Sequence, residues 1–227
     1  MAAGESSGHP AARAAGHPDE GLYDSRFEHD ACGVGFVAGL PGRRSHDIVV
    51  KGLTILRNLD HRGAKGSDPD TGDGAGIMTQ IPDGFFRAAC GFTLPEQGAY
   101  AAGIAFLPPD RGNDAAIAAV NAVERLCAEE GLLVLGWRDV PHDSAACGRG
   151  ARELLPTLRQ LFVTAPGGEQ GIELDRRAFC LRKRAEHEAE IYFASLSSRT
   201  IVYKGMLTAT QLGAFYPDLS DPRYTSA

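Results

Sequence analysis

The chain has 227 residues, 43% of them hydrophobic and 23% charged, enough to bury a sizeable core in one large domain or two small ones. Its net charge of −6 excludes a general nucleic-acid binder, which would carry a basic stripe. No apolar run approaches the ~18–20 residues that cross a bilayer, and five widely spaced cysteines without a C-x-x-C pair argue against a zinc or iron–sulfur site and for a reduced, cytoplasmic setting.

In chain order, residues 1–31 come first, with Ala, Gly, His, Pro and Ser dominating residues 1–20. Such a stretch buries too little apolar surface to offset its ordering entropy. It reads as a disordered tail, or as a propeptide that caps Cys32. Residues 33–40 are mostly Gly, Val, Phe and Ala, a buried strand by composition. A turn follows at Pro41-Gly42-Arg43-Arg44, and Ser45 is placed to cap a helix over about 47–59. Val49, Leu53, Leu56 and Ile48, Ile55, Leu59 give that helix an apolar face. Residues 60–76 form a long Gly/Asp-rich loop. Strands are predicted over 77–81 and 100–107, with two helical turns over 83–90 between them.

A second amphipathic helix is predicted over 115–131, with Ile117, Val120, Val123 (or Glu124) and Cys127 on one side and Gly131 as its stop. A strand over 132–137 follows. Residues 154–164 fit strand or helix equally. A charged helix over 175–190, short strands over 191–195 and 200–204, and a last helix over 208–215 complete the pattern. Strands and helices interleave, so the class is α+β or α/β.

Gly33-Val34-Gly35-Phe36-Val37-Ala38 satisfies the dinucleotide pattern G-x-G-x-x-A, but polar residues precede it and Pro41-Gly42 follows where a helix should open. Gly72-Asp73-Gly74-Ala75-Gly76 lacks the lysine of a phosphate loop and the glutamate of a calcium loop. Asp60-His61-Arg62-Gly63 follows the first helix, where basic residues and glycine also serve as an ordinary C-cap. Cys32 is different in its address. A cysteine that begins a mature chain carries a free α-amino group beside its sulfur, and that group, with an ordinary pKa of ~7.7–8.0, is a built-in general base.

Together, Cys32-Gly-Val-Gly-Phe, the helix, Leu-Asp-His-Arg-Gly and Asp-Gly-Ala-Gly-Ile resemble the class II (N-terminal nucleophile) glutamine amidotransferases. The expanded stretch between Gly63 and Ala75, Ser198-Arg199-Thr200-Ile201-Val202-Tyr203-Lys204-Gly205 and Phe215-Tyr216-Pro217-Asp218-Leu219 are similar to the glutaminase domain of glutamate synthase large subunits. The resemblance implies an α+β fold, the four-layer α/β/β/α sandwich of N-terminal nucleophile hydrolases, incomplete at the C-terminus. It implies a leader, residues 1–31, that is removed, and an amidotransferase portion, residues 32–227, with catalytic Cys32 framed by Arg62 and Gly63. It implies glutamine as substrate, the remainder of a large subunit as partner and a small NADPH-oxidising FAD subunit as a further one, with no membrane or nucleic-acid partner. No cofactor is expected here; FMN and an iron–sulfur cluster are implied for the full-length subunit, with NADPH or ferredoxin as electron donor. The family's Asn-Gly oxyanion pair and its His-Ser-Arg-Phe glutamine clamp have no match in this sequence, so the expectation is an inactive N-terminal piece. The competing readings are an amino-sugar or purine-precursor amidotransferase, against which the expanded 64–74 loop and Tyr203-Lys204-Gly205 argue, and a non-catalytic regulatory or assembly domain.

Overall fold

The computed structural model describes residues 33–62, 70–109 and 114–227. Helix α1 (His46–Asn58) begins after Ser45, which is extended (φ −152°, ψ 156°) and whose side chain, contrary to expectation, accepts no cap hydrogen bond. Strand β1 (Ala75–Gln80), helix α2 (Asp83–Ala89), strand β2 (Ala101–Leu107), helix α3 (Ala115–Glu129) and strand β3 (Leu133–Asp139) follow. Then come helix α4 (Arg149–Glu153), strand β4 (Thr157–Thr164), helix α5 (Gly171–Ala189), strands β5 (Tyr192–Phe193) and β6 (Thr200–Gly205), and helix α6 (Leu212–Phe215). Residues 157–164, open between two readings, are a strand. The mixed α+β expectation holds, and every pairing among the described strands is antiparallel.

Two sheets form, one of β1 and β6, the other in the order β3-β4-β2-β5. Alternation along β2 sorts its side chains to two cores. Ala102 and Ile104 join Phe162 of β4 and Ile201 and Tyr203 of β6 in the core between the sheets. Ala101, Ala105 and Leu107 face Val123, Leu126 and Cys127 of α3 and Leu174, Ala178 and Leu181 of α5. Gly103 lets the chain switch sheets: any Cβ there would overlap the Ser195 carbonyl, where residues 195–197 cross β2. Ala102 N–H donates to Ser197 O and Ser197 N–H to Ala102 O, at 3.0 and 3.2 Å. Asp175 holds the next step, its carboxylate accepting from Ser198 N–H at 2.5 Å and Arg199 Nε at 2.7 Å.

Three expectations need correction. Residues 33–40 form no strand; they run as an irregular arm beside α1, with Val34 93% and Phe36 90% exposed. Their apolar composition suits a strand, but β1 is hydrogen-bonded to β6 and no other described strand pairs with the arm. The inward face of α3 is Ala119, Val123, Leu126 and Cys127, while Ile117 is 61% exposed, because α5 and β2 set which stripe is covered. The helix expected over 208–215 shrinks to α6 after Gln211 accepts from Thr208 N–H through its side chain at 2.8 Å.

Burial pushes the Cys127 thiol up to about 12 and that of Cys90 up to about 11. Both groups are kept neutral by the fold. Their contribution to stability is full below the ordinary thiol range and is lost as pH climbs through these raised values. Iodoacetamide at pH 8 is therefore expected to label exposed Cys180 and spare Cys127 until urea unfolds the chain. Peptide mass spectrometry reads both sites, and prompt Cys127 labelling in the native protein would contradict its placement under α5.

Candidate active site

The arm and α1 run antiparallel along one another. A Cβ at Gly39 would lie 3.8 Å from Ile48 Cδ1 near the start of α1. A Cβ at Gly35 would overlap Ile55 Cγ2 and lie 3.6 Å from Leu59 Cδ1, near its end. The spacings agree: four extended residues cover about 13 Å, and seven to eleven helical residues about 10–16 Å. The turn Pro41-Gly42 brings the chain round, with Gly42 at φ +67° and its N–H donating to Gly39 O at 2.8 Å. Arg44 Nη1 donates to Ile81 O at 2.7 Å and ties the turn to the end of β1.

Beyond Asn58, helix α1 passes through Leu59 into a 3-10 turn, Asp60–Arg62. His61 Nδ1–H donates to Asn58 O at 3.0 Å, so this histidine serves as a helix-end cap. Of the three nominated catalytic residues, the backbone of Arg62 ends this turn, while Cys32 and Gly63 lie outside the described residues.

Between the arm, α1 and β1 runs a groove of about 470 Å³. Its apolar wall is Val37, Ile48, Ile55, Leu56 and Leu59, and along its other side lies the edge of β1 that no described strand covers. Its far end is polar and is lined by Ser226 and Ala227. Ser45 and Ser226 exchange backbone hydrogen bonds at 2.8 and 3.2 Å. Tyr224, fully buried, shares a hydrogen bond between its hydroxyl and Thr79 Oγ1 at 2.8 Å, and its carbonyl accepts from His46 Nδ1 at 2.9 Å. The residue that sequence reasoning missed is Gly35. Its signal is the alternation of Gly35, Val37 and Gly39 with the exposed Val34, Phe36 and Leu40, which lets the arm lie close on α1.

No group of three or more His, Cys, Asp or Glu residues converges among the described residues, so nothing there has the donor set for a metal ion or an iron–sulfur cluster. No helix among them is long and apolar enough to cross a membrane.

Comparison with known proteins converges on the same assignment. The family described as Glutamine amidotransferases class-II matches residues 32–227. The chain is 46% identical over 215 residues to the glutamate synthase [NADPH] large chain of Bacillus subtilis, covering 92% of this chain and 14% of that protein. It is 39% identical over 234 residues to the chloroplastic ferredoxin-dependent glutamate synthase of Spinacia oleracea, covering 97% and 14%, and 37% identical over 235 residues to the glutamate synthase [NADH] of Schizosaccharomyces pombe, covering 98% and 11%. The chain thus spans about a ninth to a seventh of the length of these relatives. With the family matched from residue 32 to residue 227, the chain belongs to the class-II glutamine amidotransferases.

Proposed function

We propose that Cys32 is the nucleophile of a glutaminase, that residues 1–31 are removed to free its α-amino group, and that Arg62 and Gly63 frame it. The observation that carries this reading is the antiparallel lay of the arm on α1. Gly35 meets Ile55 and Leu59 near the end of α1, and the Asp60–Arg62 turn follows that helix end directly. The family match begins at residue 32 and supports the same boundary. The sulfur attacks the side-chain carboxamide of glutamine, the α-amino group passes the proton to the departing ammonia, and water releases glutamate from the γ-glutamyl thioester. A peptide-bonded nitrogen has no basic lone pair, which is why the leader must go.

In the whole protein, the ammonia would be added reductively to 2-oxoglutarate in the manner of a glutamate synthase, with FMN and an iron–sulfur cluster in the remainder of the subunit and a small FAD subunit as electron source. The described residues offer no donor set for the cluster. The setting proposed is the cytoplasm. The fold proposed is the four-layer sandwich, and the uncovered edge of β1 beside the exposed Val34, Phe36 and Leu40 supports a further strand entering the groove.

Two measurements test this. N-terminal mass spectrometry of the mature protein is expected to find a chain that starts at Cys32; a persistent Met1 in an active enzyme overturns the leader's role. The 227-residue chain alone, without an Asn-Gly oxyanion pair, is expected to release glutamate at about a hundredth or less of the rate of an intact amidotransferase. Robust release by this chain would refute the expectation that glutamate release needs the Asn-Gly pair this chain lacks.

A further inference from the structure

We propose that the cleft where β1 begins and β6 ends binds a small apolar α-amino acid such as leucine. Two hollows adjoin there, and both are lined by Phe106, Lys204, Gly205 and Met206. The first, of about 190 Å³, is apolar. Leu155, Leu158, Leu207 and Phe215 line it, and the exposed Leu154 and Met206 stand at its mouth. The second, of about 480 Å³, is a shelf lined by Gly74, Ala75 and Gly76, with Asp73 beside them. Gly76 faces Lys204 across the sheet and keeps the shelf open: a Cβ there would overlap Lys204 Cβ and lie 3.1 Å from Tyr203 O. Opposite charges line this shelf without meeting. Lys204 Nζ donates to the Tyr192 hydroxyl at 3.2 Å and lies 5.3 Å from the centre of that ring. The aromatic contact steers the ammonium without neutralising it. No described carboxylate pairs with Lys204, and Asp73 is exposed and pairs with no described cation. Two unpaired charges of opposite sign beside one apolar hollow match a zwitterion whose ammonium, carboxylate and side chain branch from a single carbon. The hollow then selects the side chain. Besides Lys204, its polar side-chain groups are already engaged: the Tyr216 hydroxyl donates to Lys204 O at 2.9 Å and the Cys147 thiol to Ser144 O at 3.2 Å. A carboxamide placed there would lose water without gaining a partner, whereas a branched alkyl chain loses nothing, and the unbranched Met206 adapts to its shape. The site stands independently of the reading of Cys32.

Isothermal titration calorimetry of the 227-residue chain with L-leucine is expected to show saturable binding with a Kd of about 1 mM, in keeping with so small a ligand. D-leucine cannot place all three groups at once and is expected to bind about tenfold more weakly. The same loss, about tenfold, is expected for isocaproate, which lacks the ammonium, and for isoamylamine, which lacks the carboxylate. Asp73→Asn and Lys204→Met each remove one charge from the shelf and are expected to weaken L-leucine about tenfold with the urea midpoint unchanged. Should either variant lose its cooperative unfolding, the analogues decide, because they leave the chain unaltered. Absence of saturation by L-leucine overturns the proposal. So do equal affinities for L-leucine and its analogues, and so do folded Asp73→Asn and Lys204→Met variants that bind as the unaltered chain does. Displacement of bound L-leucine by an equal concentration of L-glutamine would mean that leucine occupies the glutamine pocket, and overturns it as well.

Discussion

Asp218→Ala is expected to lower the unfolding free energy by about 3–5 kcal/mol, seen as a large fall in the urea midpoint. Asp218 is buried in the 3-10 turn Pro217–Ser220, where its carboxylate takes both Nη atoms of Arg138, at 2.8 and 2.7 Å. The Tyr203 hydroxyl donates to the same carboxylate at 2.9 Å. The Arg138 and Asp218 side chains are only 10% and 4% exposed, so both charges have left water. With Asp218 gone, the guanidinium keeps the Gln160 carbonyl at 3.2 Å and the face of Phe85 at 5.3 Å, and neither neutralises it. Gln160 has nothing more to offer, since its Nε2 already lacks a partner. The companion variant separates the pair's net worth from the cost of breaking it. Asp218→Ala combined with Arg138→Leu removes the stranded charge and is expected to recover most of the loss, because a buried ion pair contributes little net stability over an apolar pair. A loss under about 1 kcal/mol in Asp218→Ala would mean that the carboxylate does not pin this turn to β3.

That pin was invisible in the sequence. Arg138 and Asp218 lie 80 residues apart, and each alone reads as a solvated charge. What could be read was local: the apolar repeat of α1, the stop at Gly131 with φ +68°, and the apolar run of β2. What could not be read depended on distant partners. Residues 33–40 have strand composition, yet they run along α1 and leave the free edge of β1 uncovered by any described strand, a choice of partner that composition does not reveal. On α3, Ile117 looked core-facing by spacing, but the contact with α5 turns Ala119 and Leu126 inward instead. The same division runs through the site. Cys32, Arg62 and Gly63 were nominated by their motif, whereas Gly35 matters only because Ile55, twenty residues on, occupies the space its side chain would need.

In an active enzyme that carries this domain, Cys32→Ala is expected to cut glutamate release from glutamine by about 10⁴-fold or more, with the fold intact. Cys32→Ser is the sharper variant, because it keeps a nucleophile of similar shape. An ordinary thiol near 8.5 and an α-amino group near 7.7–8.0 are matched, so proton transfer between them at neutral pH is nearly level. A hydroxyl is a far weaker acid, and the same amine is then too weak a base to activate it. Serine is therefore expected to recover little of the lost rate, and the deficit belongs in kcat, since the pocket that binds glutamine is unchanged. Adding a single residue before Cys32 should be nearly as damaging as Cys32→Ala, because it turns the amine into an amide while leaving the thiol in place. Initial-rate measurements of glutamate release across the three variants separate the roles. Full activity in the extended variant would remove the α-amino group from the mechanism and leave Cys32 in need of another base, while more than a tenth of the rate in Cys32→Ala would remove the cysteine itself.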